Sequence, residues 1–318
     1  MTLGPSECRA VLAEGSKSFN FASRFLPAER RNDAAVVYTF CRTVDDIADE
    51  AASPSKARDQ LMALREELVG VRQCGQLAGL FLRTAQQRGF SAEPAIHLID
   101  GVTSDLDLVR IQDDVELLRY CYRVAGTVGL LMCGVLGVRA PRAAPFAVDL
   151  GIAMQLTNIC RDVREDAKMG RAYIPRTRLD AENLTPEQVV EGAFDRDRLA
   201  SVVADLLALA DLYYRSADDG MRFIPLRTRL AIQVASRVYR GIGVKLLSAH
   251  SGDSWRGRTV VSGLAKAGWA AGALTRTLDP TWWGLWSLPR HDPRLHGGLE
   301  DLPGTNGPDP VGLLAAGV

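Results

Sequence analysis

The sequence predicts an all-α protein, a helical bundle built around a central cavity. Apolar residues recur with the helical period along most of the 318-residue chain, and this periodicity is the main sequence signal for amphipathic helices. Strand signals are nearly absent, because no run alternates convincingly and no Asn-Gly turn joins two β-rich segments. Two predicted helices carry rows of aspartates, and a bundle that brings the rows face to face would enclose a polar cavity.

Proline and glycine breaks divide the chain into its predicted helices. Pro27 opens a long helix, since proline is favoured in a first turn, and Pro54 lies just beyond that helix. Gly75 and Gly89 separate the next segments. The predicted helices span 4–14, 19–26, 29–50, 55–71, 76–88, 93–110, 115–138, a segment opened by Pro141 and Pro145, a short segment from Thr185, 197–217, 227–247 and 258–274. We predict one domain over 1–288 and a disordered tail over 289–318, where proline and glycine are frequent.

Composition excludes several classes of function. Lys plus Arg and Asp plus Glu both number 38, so the neutral chain gives no reason to expect a nucleic-acid partner. The six cysteines are scattered without a CxxC pair and only four His occur, which argues against zinc and indicates a reduced, cytoplasmic protein. Residues 1–17 are polar and mixed, unlike a signal peptide. The uncharged run 124–138 is shorter than the roughly 20 residues of a membrane span, so we predict a buried helix there.

The first row of polar side chains lies on the predicted helix that contains residues 154–168. It consists of Gln155, Asn158, Asp162 and Asp166. Carboxylates stacked at i, i+4 repel each other, so a cation is expected against them, and oxygen donors without His or Cys suit Mg²⁺. Lys168 and Arg171 follow and would suit substrate phosphates. The alternative is a solvated acidic face with Arg161 and Arg164 as neighbours.

The second row lies on the helix predicted over 29–50. It consists of Asp45, Asp46 and Asp49, preceded by Tyr38 and Arg42. Alone it reads equally well as a surface face of Arg–Asp ion pairs, which contribute little to stability. Two such rows in one helical chain favour a cavity that holds several Mg²⁺ ions and a diphosphate.

Three further features have both a structural and a functional interpretation. The break at Ser16-Lys17-Ser18-Phe19 is either a helix–helix turn or a donor of hydrogen bonds to phosphate. The glycines of 124–138 each cost about 1 kcal/mol relative to Ala in a helix, which indicates close packing or room for a ligand. Asp100, Asp105 and Asp107 are irregularly spaced, so we interpret them as a surface face or as surroundings of the metal.

Taken in order, these motifs resemble those of the squalene/phytoene synthase family, whose members join two prenyl diphosphates head to head. The resemblance covers roughly residues 8–275. Its motifs are Ser16-Lys17-Ser18-Phe19, Tyr38-Thr39-Phe40-Cys41-Arg42, Asp45-Asp46-Ile47-Ala48-Asp49, Val124-Ala125-Gly126-Thr127-Val128-Gly129, Asp162-Val163-Arg164-Glu165-Asp166 and Gly170-Arg171-Ala172-Tyr173-Ile174-Pro175. Gly15 departs from the pattern, because some members have His there. The runs 238–245 and 255–258 are similar to those of bacterial phytoene synthases.

The resemblance implies the isoprenoid synthase fold and a Mg²⁺-dependent prenyltransferase of carotenoid biosynthesis. Two geranylgeranyl diphosphates would give phytoene by way of prephytoene diphosphate, with two or three Mg²⁺ ions, Mn²⁺ as a substitute and no NADPH. The implied metal ligands are Asp45, Asp46, Asp49, Asn158, Asp162 and Asp166. The implied substrate-binding residues are Ser16, Lys17, Ser18, Phe19, Arg42, Ala125, Gly129, Gln155, Asn158, Lys168 and Arg171. The implied catalytic residues are Asp45, Asp49, Asp162, Asp166 and the cation-facing Tyr38, Tyr120, Tyr173 and Tyr239.

Three other functions stay open at this point. A squalene, dehydrosqualene or presqualene diphosphate synthase would use farnesyl diphosphate with the same motifs. A class I terpene cyclase shares the spacing of Asn158, Asp162 and Asp166 but consumes one substrate per product. A non-catalytic helical scaffold would tolerate lost aspartates, whereas this chain keeps the full set. The lipophilic product suggests peripheral association with the inner face of the membrane, and the oligomeric state is left open.

Overall fold

The computed structural model describes residues 3–257, 259, 268, 269, 272 and 289–305. Within these residues the regular elements are helices, and the one strand-like contact is an isolated bridge between Arg110 and Ala172. The α-helices are α1 (Pro5–Gly15), α2 (Lys17–Ser23), α3 (Ala28–Glu50), α4 (Pro54–Leu68), α5 (Gln76–Arg88), α6 (Glu93–Ser104), α7 (Asp114–Cys121), α8 (Thr127–Leu136), α9 (Ala144–Lys168), α10 (Arg176–Ala181), α11 (Pro186–Glu191), α12 (Arg196–Gly220) and α13 (Leu226–His250). The predicted all-α class is confirmed. Most of the helix predicted over 258–274 lies outside the described residues.

The helix starts follow local capping chemistry. The Ser16 hydroxyl accepts a hydrogen bond from the Phe19 amide at the start of α2, and Ser53 caps α4 in the same way ahead of Pro54. Thr185 and Gln188 form a reciprocal capping box on α11. These caps satisfy amide donors that a helix N-terminus leaves without partners, so the breaks predicted at these positions fall where the chain turns.

Two predicted helices end or bend differently in the structure. The helix predicted over 93–110 stops at Ser104, because residues 105–107 turn away and bring Asp105 to the site described below. The helix predicted over 115–138 is interrupted by a π-helical turn, Tyr122–Gly126, between α7 and α8. Such turns occur preferentially at functional sites, and this one contributes Val124 and Ala125 to the cavity wall.

The centre of the bundle is α9, which packs against α8, α12 and α13. A Cβ atom on Gly129 of α8 would lie 2.1 Å from the carbonyl oxygen of Ala147, and one on Gly151 of α9 would lie 2.2 Å from that of Ala125. Both positions therefore require glycine for close approach of the two backbones. Gly129 also lines the cavity, so close packing and space for a ligand coincide on this helix.

The region Pro141–Lys168 is long and apolar enough to cross a membrane by length and composition, with mean hydropathy 1.2 in its most apolar window. However, 72% of that window is buried inside the bundle. The segment is the core helix of this fold, and its apolar character follows from packing on several sides.

The C-terminal segment, residues 289–305, is ordered and packed against the bundle, so the prediction of disorder is wrong for these residues. Leu299 is fully buried and Leu302 nearly so. The Tyr122 hydroxyl donates to the Pro303 carbonyl at 2.7 Å, and the Tyr213 hydroxyl donates to that of Leu295 at 2.6 Å. The composition is poor in core-forming residues, but donors on α12 and the π-helical turn satisfy its backbone. Residues 306–318 lie outside the described residues.

Candidate active site

A cavity of about 950 Å³ runs between α1–α3, α8, α9 and α13. Its wall is mainly apolar, with Val37, Met132, Leu150 and Ala235 contributed by α3, α8, α9 and α13 in turn. The sequence-predicted site residues that line it are Ser16, Lys17, Ser18, Phe19, Tyr38, Arg42, Asp45, Ala125, Gly129, Gln155, Asn158 and Tyr239. The mainly apolar space, with charged and amide side chains such as Asp45 and Asn158 in its wall, suits a substrate that has a hydrocarbon tail and a charged head.

An aromatic cluster lies in this wall. The ring of Phe19 lies 6.2 Å from that of Tyr38 and 5.1 Å from that of Tyr239, measured between centroids. Desolvation raises the pKa of Tyr38 to about 12, so its phenol is neutral near pH 7. Neutral aromatic faces attract a cation without presenting a nucleophilic anion to it.

Gly15 allows Tyr38 its position. A Cβ atom on residue 15 would lie 2.5 Å from the Tyr38 hydroxyl oxygen, so a side chain here would displace the phenol from the cavity wall. The next residues have separate roles, since Ser16 caps α2 while Lys17 also lines the cavity and supplies a positive charge. Both predicted interpretations of this break, turn and anion contact, are compatible with that geometry.

Of the three aspartates of α3, Asp45 lines the cavity, whereas Asp46 and Asp49 are not among its lining residues. Asp45 faces the cavity, and desolvation together with repulsion from Asp49 and Asp105 raises its pKa to about 7 against the attraction of Arg42. Arg42 forms an ion pair with Asp46 at 2.7 Å. Asp49 pairs with Arg171 at 2.9 Å, which joins this second row to the segment that follows the first row on α9.

The first row, with Gln155, Asn158, Asp162 and Asp166, lies on α9. Desolvation and repulsion from Asp162 raise the pKa of Asp166 to about 8. Asp162 has non-helical backbone angles, φ −104° and ψ 15°, which kink α9, and its carboxylate is paired with the guanidinium of Arg161. The Asn158 amide nitrogen donates to Gln155 at 3.3 Å, whereas its buried oxygen Oδ1 has no hydrogen-bond partner in the described part of the chain.

These residues fit Mg²⁺. The donor set is carboxylate and amide oxygen throughout, as a hard cation prefers. Burial is the largest cause of the raised pKa values of Asp45 and Asp166, and repulsion from neighbouring carboxylates adds to it. Among the described residues, the Asn158 oxygen is a buried acceptor without a donor. Asp105 lies close enough to both rows for its charge to act on Asp45 and on Asp166.

Asp105 is a site residue that the sequence did not single out. It accepts hydrogen bonds from the Tyr120 hydroxyl at 3.0 Å and from the Tyr173 hydroxyl at 2.9 Å. Desolvation raises its pKa to about 6, against those hydrogen bonds and Arg171. Its spacing from Asp100 and Asp107 follows no helical row, so only the tertiary fold reveals it. Of the two interpretations of these aspartates, Asp105 takes the one that places it beside the metal site.

Several sequence-predicted positions differ in the structure. Tyr120 and Tyr173 stack on each other at 4.8 Å and hold Asp105. Neither is among the residues that line the cavity, so a role for them beside the cation stays a prediction. Lys168 is exposed in the last turn of α9. Arg161, taken as a neighbour of a solvated face, is instead nearly buried and lines the cavity.

The metal-free protein is expected to become more stable as pH falls from about 8 toward about 4 through Asp45 and Asp166. Their pKa values in the folded state, about 7 and about 8, lie above the ordinary 3.8. Over that window the folded state binds more protons than the unfolded state, so the free energy of unfolding decreases as pH rises. Urea unfolding in EDTA across this range measures it.

The matched control for this pH effect is the double variant Asp45→Asn, Asp166→Asn, which cannot take up those protons. Its free energy of unfolding should depend less on pH than that of the wild type. Mg²⁺ competes with the same protons. Its apparent affinity for the wild type should therefore increase as pH rises from about 4 to about 8. Parallel pH profiles for the wild type and the double variant would show that the two carboxyls do not titrate as described.

An all-α bundle whose apolar cavity is lined by Asp45 of α3 and Asn158 of α9 is the arrangement expected of the class of prenyl diphosphate synthases that the sequence motifs resemble. The described fold agrees with solved members of that class. It superimposes on a crystal structure of a dehydrosqualene synthase in complex with ligand with TM-score 0.76 and 24% identity, over 86% of this chain and 95% of that one. A crystal structure of a squalene synthase from Alicyclobacillus acidocaldarius superimposes with TM-score 0.68, over 78% of this chain and 94% of that one. Both likenesses establish the isoprenoid synthase fold.

Sequence comparison is more specific than the fold. The family model described as squalene/phytoene synthase matches residues 12–265. A phytoene synthase from Pseudescherichia vulneris is 35% identical over 298 residues, which cover 88% of this chain and 96% of that protein. A 15-cis-phytoene synthase from Enterobacter agglomerans is 37% identical over 269 residues, which cover 78% of this chain and 87% of that protein. The chain belongs to the squalene/phytoene synthase family.

Proposed function

We propose that this protein condenses two molecules of geranylgeranyl diphosphate head to head to form phytoene, by way of prephytoene diphosphate, in carotenoid biosynthesis. The observation that carries the proposal is the continuity of an apolar cavity of about 950 Å³ with the polar end occupied by Asp45 and Asn158. This volume is at the upper end of ordinary ligand pockets, about 300–1,000 Å³, as long prenyl tails require. The relatives named phytoene synthase support the choice of product.

The polar end would hold the diphosphates. Asp45, Asp49, Asn158, Asp162 and Asp166 would hold Mg²⁺, which when bound supplies Lewis-acid stabilisation of the departing pyrophosphate. In the structure the carboxylates of Asp46, Asp49 and Asp162 are each paired with an arginine. Those pairs keep the carboxylates oriented, and binding of metal and substrate would release the guanidinium groups for phosphate oxygens.

The apolar end would protect the reaction from water. Breaking the C–O bond of the first diphosphate leaves an allylic cation, and the 2,3 double bond of the second molecule attacks it with loss of a proton. Phe19, Tyr38 and Tyr239 would surround this charge with neutral rings, and the aliphatic wall would exclude the water that quenches carbocations. The described residues single out no catalytic base, and the released pyrophosphate would serve.

The proposal includes no reductive step, so NADPH is not required. The reaction would take place in the cytoplasm, with peripheral membrane association through the lipophilic product at the inner face. The choice between geranylgeranyl and farnesyl diphosphate is a choice of tail length alone, because both substrates have the same diphosphate head for the polar end.

The test is incubation of the purified protein with Mg²⁺ and either geranylgeranyl or farnesyl diphosphate, with and without NADPH, followed by mass analysis of the hydrocarbon. We expect a C40 product from geranylgeranyl diphosphate that is unchanged by NADPH. A C30 product formed in preference would replace the phytoene assignment by the squalene or dehydrosqualene alternative. A cyclised product from one substrate molecule would indicate a terpene cyclase, and absence of turnover would favour the scaffold.

A further inference from the structure

We propose that Asp149, His291 and His296 form a second metal site, a structural site for Zn²⁺ that fastens the C-terminal segment to the bundle. Their ligand atoms all lie within 4.8 Å of one another. Their side chains are 0%, 10% and 1% exposed in that order. Asp149 lies on α9, thirteen residues before Asp162 and so about 20 Å along the helix. The cluster is therefore separate from the aspartates at the cavity.

The donor set differs from that of the proposed magnesium site. Two imidazole nitrogens and one carboxylate oxygen are a ligand combination of zinc, whereas Mg²⁺ prefers oxygen alone. His291 and His296 have four residues between them, which falls within the usual spacing of paired histidine ligands. The sequence argued against zinc because local Cys pairs are absent. That reasoning could not detect a third ligand 142 residues away from His291.

The orientation of His296 prepares it as a ligand. Its Nδ1 atom lies 2.8 Å from the Thr305 carbonyl oxygen and must donate a proton there, while Nε2 faces Asp149 Oδ1 at 2.8 Å. A backbone carbonyl on Nδ1–H is the usual way in which a metal-bound histidine is oriented. Because both ring nitrogens face acceptors, a cation must occupy the Nε2 side, either a proton or a metal ion. His291 Nε2 approaches the other carboxylate oxygen, Oδ2, at 2.8 Å.

The carboxylate also needs a cation. Asp149 is fully buried, and a buried carboxylate without a compensating charge is costly. Its contacts in the described residues are the two histidines and the Ser216 hydroxyl, which donates at 2.5 Å. Tetrahedral Zn²⁺ with ligands at about 2.0–2.2 Å sets donor atoms about 3.3–3.6 Å apart, so the 2.8 Å contacts would lengthen by roughly half an ångström. Ser216 or a water would complete the coordination.

The site explains how the C-terminal segment is held. Apart from the short 3₁₀ turn Pro293–His296, its described residues have no regular structure, and it contributes few apolar side chains to the core. Irregular segments of this kind are commonly fastened by metal, because the binding free energy becomes folding free energy. Asp149 on α9 and Ser216 on α12 would supply the side of the bundle on which the segment is held.

The test is the zinc content of the untagged, full-length protein after dialysis, measured by plasma mass spectrometry. We expect about one zinc ion per chain, lost in Asp149→Asn and His296→Ala and kept in His250→Ala, which changes a histidine outside the cluster. The double variant Asp45→Asn, Asp166→Asn should also keep its zinc, which separates this site from the catalytic aspartates. An equal zinc content in His296→Ala and the wild type would overturn the proposal.

Wild-type protein stripped with a chelator avoids dependence on the folding of variants. We expect Co²⁺ to give the visible absorption of a four-coordinate site that Zn²⁺ then abolishes, and the melting temperature to rise with zinc concentration. If neither the Co²⁺ absorption nor the rise in melting temperature is observed, a proton rather than a metal occupies the Nε2 side of His296, and the proposal is wrong. The outcome is independent of the proposed reaction, because none of these readouts uses enzyme activity.

Discussion

Replacing Asp166 by asparagine is expected to lower kcat/KM by about a thousandfold or more while leaving the protein folded. A metal ion that polarises a leaving group contributes several kcal/mol to the transition state, and each 1.36 kcal/mol is a factor of about ten. The free energy of unfolding should not decrease. Desolvation and Asp162 already raise the pKa of Asp166 to about 8, and Asn resembles the neutral carboxyl that this pKa favours at pH 7.

Steady-state kinetics with saturating Mg²⁺ and urea unfolding in EDTA measure the two effects separately. The matched control is Asp59→Asn, which removes one charge from the exposed face of α4 and should leave both quantities unchanged. Wild-type activity in Asp166→Asn would contradict the assigned metal site. A large loss of stability would indicate that Asp166 acts in folding instead.

Replacing Asp105 is expected to have the second largest effect, and the replacement chosen separates two roles. Asp105→Ala leaves the hydroxyls of Tyr120 and Tyr173 without their acceptor, and each such unpaired buried group costs about 1–3 kcal/mol. Asp105→Asn keeps an acceptor but removes the charge that acts on both aspartate rows. We expect the alanine variant to lose stability and activity, and the asparagine variant to lose about tenfold to a hundredfold in kcat/KM at nearly unchanged stability.

Thermal unfolding and the Mg²⁺ dependence of kcat/KM distinguish these roles. If the charge of Asp105 helps to attract the metal, the asparagine variant should need more Mg²⁺ for half-maximal activity. Asp107→Asn is the control, because Asp107 lies two residues away in an exposed ion pair with Arg58. Full activity of Asp105→Asn at low Mg²⁺ would restrict Asp105 to holding the tyrosines in place.

The regular parts of the site could be predicted from the sequence because helical spacing is a local property. Asp45 with Asp49, and Asn158 with Asp162 and Asp166, fall one turn apart, so each row was evident before its partner was known. Repulsion within a row also indicated a cation. Whether the two rows lie close together depends on tertiary structure. The ion pair between Arg171 and Asp49 links the row on α3 to the segment that follows the row on α9.

The irregular parts of the site could not be predicted. Asp105 follows the last turn of α6, and its importance arises from Tyr120 and Tyr173, which belong to other segments of the chain. No pattern links these three residues. The bonds from Tyr120 and Tyr173 to Asp105 are equally hard to predict, since an aromatic residue within a motif gives no indication of which neighbour its hydroxyl will bond.

The C-terminal segment illustrates a different limit. Composition correctly indicates that residues 289–305 cannot build a core alone, and disorder was inferred from that. The inference fails because the segment uses the bundle's core, through Leu299, and the bundle's hydrogen-bond donors, through Tyr122 and Tyr213. Contacts between residues so far apart in sequence leave no trace in local composition.

The central claim is that one cavity couples two prenyl diphosphates at facing aspartate rows, and isotope scrambling tests it most directly. The protein is incubated with Mg²⁺ and an equal mixture of unlabelled and fully deuterated geranylgeranyl diphosphate, and the C40 fraction is examined by mass spectrometry. We expect unlabelled, half-labelled and fully labelled phytoene, with the half-labelled species most abundant, and none from Asp166→Asn. C20 products that are either unlabelled or fully labelled, with no half-labelled species, would contradict the claim.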